Sequence, residues 1–152
     1  MRKILLIGFL FIGFIQSPLL AQDDEIAVKA VIVSLFDAMK TKNPEALGSL
    51  FHEKAIMSTV ISGEKGAQIG SNTVQDFINR IATTPAETIL DERILDYQIK
   101  VDGQMAAAWT PYEFYVNDNF SHCGVNSFQL VKTEAGWKIA YIIDTRRKVG
   151  CD

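Results

Sequence analysis

Cysteine and histidine are scarce in this 152-residue chain, with two of each. Cys123, Cys151, His52 and His122 are too dispersed to supply the ligand spacing of a zinc site, so no metal is expected. No phosphate loop is present either, because the glycines between 62 and 71 are not followed by lysine and Ser or Thr at the required offset. Basic residues are the minority, 15 against 18 acidic, for a formal charge of −3, and that balance argues against nucleic acid or an anionic membrane surface as partner. Repeats and low-complexity stretches are absent from the sequence. The longest apolar run, Ile4 to Ile15, is broken by Gly8 and Gly13 and falls short of the roughly 20 residues that a membrane span needs.

That run fits an export signal instead. Arg2 and Lys3 precede it, and Gln16, Ser17, Pro18 and a small residue at Ala21 follow it, the charged, apolar and small-residue order of a secretory leader. Residues 1–21 are therefore read as a signal peptide and 22–152 as one domain of ordinary size, exported to a periplasm or secreted, with no stable membrane anchor. Loss of Arg2 and Lys3 moves the formal charge from −3 to −5. An exported chain with an even number of cysteines invites a disulfide. In the register given below Cys123 falls opposite Arg146, so a bridge to Cys151 requires the tail to fold back near Gly150. The sequence leaves a bridge and two free thiols both open.

From Asp23 to Lys42 the apolar residues Val28, Val31, Ile32, Leu35, Phe36 and Met39 recur at helical spacing, and Pro44 opens a second, shorter helix running to Phe51. His52 reads as a helix-end residue, ahead of a strand over 55–61. The stretch 62–71 reads as a loop. Asn72, with Gln75 three residues on, reads as the capping box of a third helix whose stripe is Val74, Phe77, Ile78 and Ile81.

Two hairpins follow. One turns on Asp102-Gly103, with Leu95, Tyr97, Ile99, Val101, Ala106, Ala108, Thr110, Tyr112 and Phe114 on one face and Trp109 and Glu113 on the other. Pro111 marks an edge or a bulge, and a bulge there would exchange the faces beyond it. The other hairpin spans 121–147. With Leu130 opposite Ile139, Phe128 falls opposite Tyr141 and Asn126 opposite Ile143, which puts Asn126, Phe128, Trp137 and Tyr141 on the apolar face and Asp144 and Arg146 on the other. The expected class is α+β, a curved antiparallel sheet with three helices on its concave face.

The first helix with LFDAMKTKNPEALGSLFHEKAIM, the TVQDFINRI helix and the hairpins ending GWKIAYIIDTRRK resemble a secreted member of the nuclear transport factor 2-like superfamily. This is the cystatin-like cone fold shared with ketosteroid isomerase, scytalone dehydratase and SnoaL-like cyclases. The resemblance implies a pocket roofed by the helices and, in many members, a homodimer through the outer sheet face, here the face carrying Trp109. It also makes Tyr97, Thr110, Tyr112, Asn126, Phe128 and Tyr141 the pocket-lining residues for a small apolar or aromatic ligand, with a plain filled core as the alternative.

The chemistry of catalysis is thin. Ketosteroid isomerase-like members use an inward aspartate and a first-helix tyrosine, whereas this first helix has no tyrosine and Asp37 as its only interior acid. Dehydratase-like members pair histidines, and only His52 and His122 are present, in separate elements. His122 is the catalytic candidate, with Asn126 as donor and Arg147 on the same face, while Asp144 and Arg146 read as a surface or interface ion pair. The leading expectation is an exported binding domain without a cofactor. The alternative is a cofactor-free isomerase, dehydratase or hydrolase, recognisable by a buried acid or base in the pocket with a shifted pKa.

Overall fold

Val28, Ile32, Leu35 and Met39 stand at spacings of four and three, so they form one stripe along α1, Pro18–Lys40, and all four are buried. The structure, a computed structural model, describes residues 18–151, with side chains from 22 onward. The export signal read over 1–21 lies outside the described residues except for 18–21, whose backbone belongs to α1. Helix α2, Pro44–Leu50, starts on Asn43, whose side chain accepts from the Ala46 amide, with proline in its first turn. Helix α3, Val74–Ala82, is capped by Thr73 rather than Asn72: Thr73 and Asp76 exchange the reciprocal bonds of a capping box.

Seven strands follow the order β2-β1-β7-β6-β5-β3, with β4 also on β5. They are β1 Phe51–Gly63, β2 Gly66–Asn72, β3 Leu90–Ile94, β4 Gln98–Asp102, β5 Met105–Val116, β6 Asn119–Thr133 and β7 Gly136–Thr145. The class is α+β with helices on the concave side, as expected. The sheet is mixed, because β1 runs parallel to β7 while the other pairs are antiparallel. The stretch expected as a loop is the end of β1 and most of β2, joined by a tight turn at Glu64-Lys65 before Gly66, whose φ of 109° suits glycine. Its residues are almost all exposed, so no apolar alternation betrays the strand.

The helices close one end of the cone. Phe36 meets Phe128 edge-on, ring centroids 6.3 Å apart, and Val28, Ile32, Leu35, Leu130 and Ile139 complete a core with little or no exposure. The start of α1 is fastened to the β6–β7 turn: Trp137 Nε1 and Lys132 Nζ both donate to Asp24, at 3.0 and 2.6 Å. Its end is tied to the sheet edge by Lys40 and Asp91, 2.9 Å apart. Surface pairs of this kind contribute at most about 1 kcal/mol each, so burial of the α1 stripe holds the layers together, at roughly 1.5–3 kcal/mol per large apolar side chain.

Three interruptions in the ladders decide which side chains face the cone. On β7, Leu130 pairs with Ile139 but Gln129 pairs with Tyr141, so Ala140 is an extra residue and the alternation reverses after it. Phe128 then faces Ile142 and Asn126 faces Asp144. Between β3 and β4, Ile94 pairs with Tyr112 and Gln98 with Trp109, four steps against three. This break lies opposite Pro111, whose carbonyl accepts from the Leu95 amide at 2.9 Å but which has no N–H to return. The third is at Ser121, which leaves His122 opposite Phe114. Asp102 pairs with Met105 rather than Val101 with Gln104, a slip of two that leaves the faces of β4 and β5 as the sequence implied.

Candidate functional site

The reversals at Ala140 and opposite Pro111 bring charged groups into the cone. Glu92 sits opposite Phe114 on β3 and points inward, while its neighbours Asp91 and Arg93 pair with each other at 2.8 Å on the other side. Asp144 turns inward with Asn126, is nearly buried, and accepts from Arg146 Nε at 2.7 Å. Asn126 Nδ2 donates to Glu92 Oε1 at 2.6 Å, so β3, β6 and β7 meet through side chains across the concave surface. Among the described residues no buried side-chain N or O lacks a partner, which makes this a satisfied polar network.

Around the network lies a two-lobed cavity. The smaller lobe, about 90 Å³, is walled by Leu35, Phe36, Phe77, Phe128 and Ile142. The larger, about 300 Å³, reaches Tyr112, Phe114 and His122. Met39, Phe77, Arg80, Glu92, Asp144 and Arg146 border both. Apolar walls with a few convergent polar groups are the usual make-up of a small-molecule site.

Burial pushes the Glu92 carboxyl up to about 7, with the nearby Asp144 charge acting in the same direction and the Asn126 and Arg146 contacts opposing it. His122 is shifted the other way: burial and then Arg146 hold it below the usual histidine value, against the pull of Asp144. At neutral pH the site therefore holds a carboxyl that exchanges its proton readily and an uncharged imidazole. Burial, with the Glu92 and Asp144 charges, also pushes the Tyr112 phenol up, and its hydroxyl donates to the Thr145 carbonyl at 3.0 Å.

Tyr112 stands where it does because residue 124 is glycine. A Cβ at Gly124 would meet the Tyr112 ring and hydroxyl at 2.8 Å and collide with the Thr145 carbonyl. His122 packs beside it, 5.8 Å from the Tyr112 ring and 5.0 Å from that of Phe114, with Nδ1 3.1 Å from Ser121 Oγ.

Of the residues expected to line the pocket, Tyr112, Asn126 and Phe128 do so. Thr110 is fully buried, with its hydroxyl 3.4 Å from the Asn126 carbonyl. Tyr97 lies away from the cavity, in a surface groove against α1 with the Lys29 ammonium 4.5 Å from its ring. Tyr141 sits on the opposite face, because Ala140 reverses β7 ahead of it. The same reversal exchanges two expected roles: Arg146 lines the cavity beside Asp144, whereas Arg147 pairs with Cys123 outside it and donates to the Gly150 carbonyl. Cys123 and Cys151 form a disulfide, Cα atoms 5.8 Å apart, with Gly150 at φ 63° making the fold-back. His52 is outside the cavity, its Nδ1 accepting from the Lys54 amide.

Solved structures share this architecture. An NTF-2 like protein of unknown function from Silicibacter pomeroyi is 19% identical, with a TM-score of 0.64 over 83% of this chain and 98% of its own. An NTF2-like protein with a cystatin-like fold from Novosphingobium aromaticivorans is 16% identical, TM-score 0.67, over 87% of each chain. A "putative dehydratase" from the NTF2-like family of Streptomyces avermitilis is 17% identical, TM-score 0.64, over 83% of this chain and 97% of its own. At such identities the likeness shows the fold alone. Among curated proteins none matches the sequence. The family described as "Putative lumazine-binding" matches residues 23–141, and the chain belongs to that family, within the nuclear transport factor 2-like superfamily.

Proposed function

We propose that the domain binds a small, flat, mainly apolar or aromatic molecule in the two-lobed cavity, with the polar edge of that molecule against Asn126 and Glu92. The composition of the cavity carries this reading: Phe36, Met39, Phe77 and Phe128 supply the walls, and Glu92, Asn126 and Arg146 converge within them. The family's lumazine-binding description supports the same class of ligand. Calorimetric titration with lumazine and with 2-naphthol tests it. Saturable binding is expected, weakened roughly tenfold or more by Asn126→Ser, the size of a lost hydrogen bond to a charged or buried partner. Absence of saturation by either compound at millimolar concentration would overturn it.

A second reading is favoured by one observation, the Glu92 carboxyl poised near pH 7 inside the cavity. In a cofactor-free isomerase, dehydratase or hydrolase, Glu92 would take and return a proton, with His122 and Tyr112 bordering the same lobe. Deuterium incorporation alpha to the carbonyl of 2-tetralone in D2O, followed by NMR, is the test. Acceleration over buffer that disappears in Glu92→Gln supports it, and exchange no faster than buffer removes it.

The leader pattern of 1–21 and the disulfide support an exported protein. Mass spectrometry of the mature N-terminus from the extracytoplasmic fraction checks this, with an intact Met1 as the contrary result. A second copy on the outer sheet face is supported by Trp109, 50% exposed, and Ile56, 58% exposed, which lie on the face turned away from the helices. Size-exclusion chromatography of Trp109→Glu should show loss of a dimer, and an elution volume unchanged from the parent would exclude that interface.

A further inference from the structure

We propose that the cavity recognises an acid: Arg80 and Arg146 together hold a carboxylate on the bound molecule, so the ligand class is a flat apolar anion. The proposal rests on the binding reading above and adds the charge of the ligand to it.

The two arginines come from different layers. Arg80 belongs to α3, Arg146 follows β7, and both border both lobes. Arg80 is an exposed cation at the rim and, among the described residues, no carboxylate lies within ion-pair distance of it. Its natural helical partner one turn back, Asp76, is engaged by the capping box, accepting from Thr73 Oγ1 at 2.6 Å. Arg146 spends only Nε on Asp144, which leaves its terminal nitrogens to donate. Guanidinium donors suit a planar carboxylate better than any other side chain does.

Charge balance points the same way. Asp144 neutralises Arg146, and burial holds Glu92 partly protonated at neutral pH, so the charge of Arg80 is compensated only in part. A bound anion restores neutrality in a partly dehydrated cavity. A cation would face two guanidiniums with Glu92 as its sole unpaired counter-charge, and its approach would require that carboxyl to give up its proton. An anion, by contrast, favours protonated Glu92, which can then donate a hydrogen bond to it.

The test is calorimetric titration of the full-length protein with 2-naphthoate and with its uncharged isostere 2-naphthamide. The acid should bind roughly tenfold more tightly or better. Arg80→Gln and Arg146→Gln should each abolish the preference for the acid, read as the ratio of the acid and amide affinities within each variant. Arg80 is exposed, so its variant tests the idea without disturbing the fold. Arg146→Gln leaves Asp144 unpaired, so its thermal unfolding is measured alongside. If the amide binds as tightly as the acid, or if preference for the acid survives Arg80→Gln, the anchor is wrong while cavity binding stands. If neither compound binds, the anchor falls, and the binding reading falls with it only if lumazine and 2-naphthol also fail to saturate.

Discussion

Phe128 and Asn126 are two residues apart on β6 and point the same way, yet they look into different surroundings. Phe128 is fully buried against Phe36 and the α1 stripe, and its ring continues into the apolar core. Asn126 reaches Glu92 and faces Asp144. One end of the cone is thus an ordinary core and the other a polar network around a cavity, although the same strands build both. The difference comes from the ladder interruptions. At the closed end the alternation runs on undisturbed and delivers aliphatic residues inward; past Ala140, and across the break opposite Pro111, it delivers Asp144 and Glu92. Two such irregularities convert a wall into a site, at the cost of burying carboxyl groups.

The largest effect should come from breaking the closed end. Phe128→Ala deletes a side chain with no exposure and should lower stability by about 3–5 kcal/mol in denaturant unfolding, the range for an aromatic truncation that leaves a cavity. A loss under about 1 kcal/mol would mean that the closed end is not the packed half of the comparison.

The polar end should reveal itself through pH. Glu92 titrates near 7 in the folded chain, against 4.5 for an ordinary glutamate. Between those values the folded state holds a proton that the unfolded chain has released, so stability falls as pH rises through the window and levels off above about 7. The full difference is at most roughly 3 kcal/mol. His122 contributes with opposite sign, since its depressed value makes folding less favourable as pH falls below 6.5. The comparison that isolates Glu92 is therefore parent against Glu92→Gln, which keeps the acceptor for Asn126 and lacks the proton. The parent should lose stability relative to the variant from pH 4.5 to 7; parallel curves would place Glu92 in water rather than in the network.

Much of the closed end was legible in the sequence, because its signals are local. The α1 stripe, the proline at the start of α2 and the register of Leu130 with Ile139 follow from helical or strand period and turn chemistry. The site was not, for a physical reason. Period-2 reasoning carries a face assignment along a strand until something interrupts the ladder, and nothing in Lys138-Ile139-Ala140-Tyr141 marks Ala140 as the extra residue. That uninterrupted count puts Tyr141 and Arg147 inward and Asp144 and Arg146 outward. The same count hides Glu92, because the apolar alternation Leu95, Tyr97, Ile99 runs straight across the break. The one available signal was Pro111, which lacks a donor for a neighbouring strand. It pointed to the right place, but the irregularity falls on its partner, between Ile94 and Gln98. The β2 strand was hidden by exposure on both faces.

The smallest effect separates the two registers of β7 most directly. Ile142 is nearly buried and borders the cavity, while Tyr141 is partly exposed on the sheet's other face. Ile142→Ser should therefore cost about 2–4 kcal/mol, from lost burial and a hydroxyl placed among apolar groups. Tyr141→Ser should cost within about 1 kcal/mol and leave the affinity for 2-naphthol where it was. Without the extra residue at Ala140 the two outcomes would be reversed, with Tyr141 carrying the penalty and the altered binding. Because the substitutions are adjacent and introduce the same side chain, differences in strand propensity largely cancel, and what remains is which way each residue points.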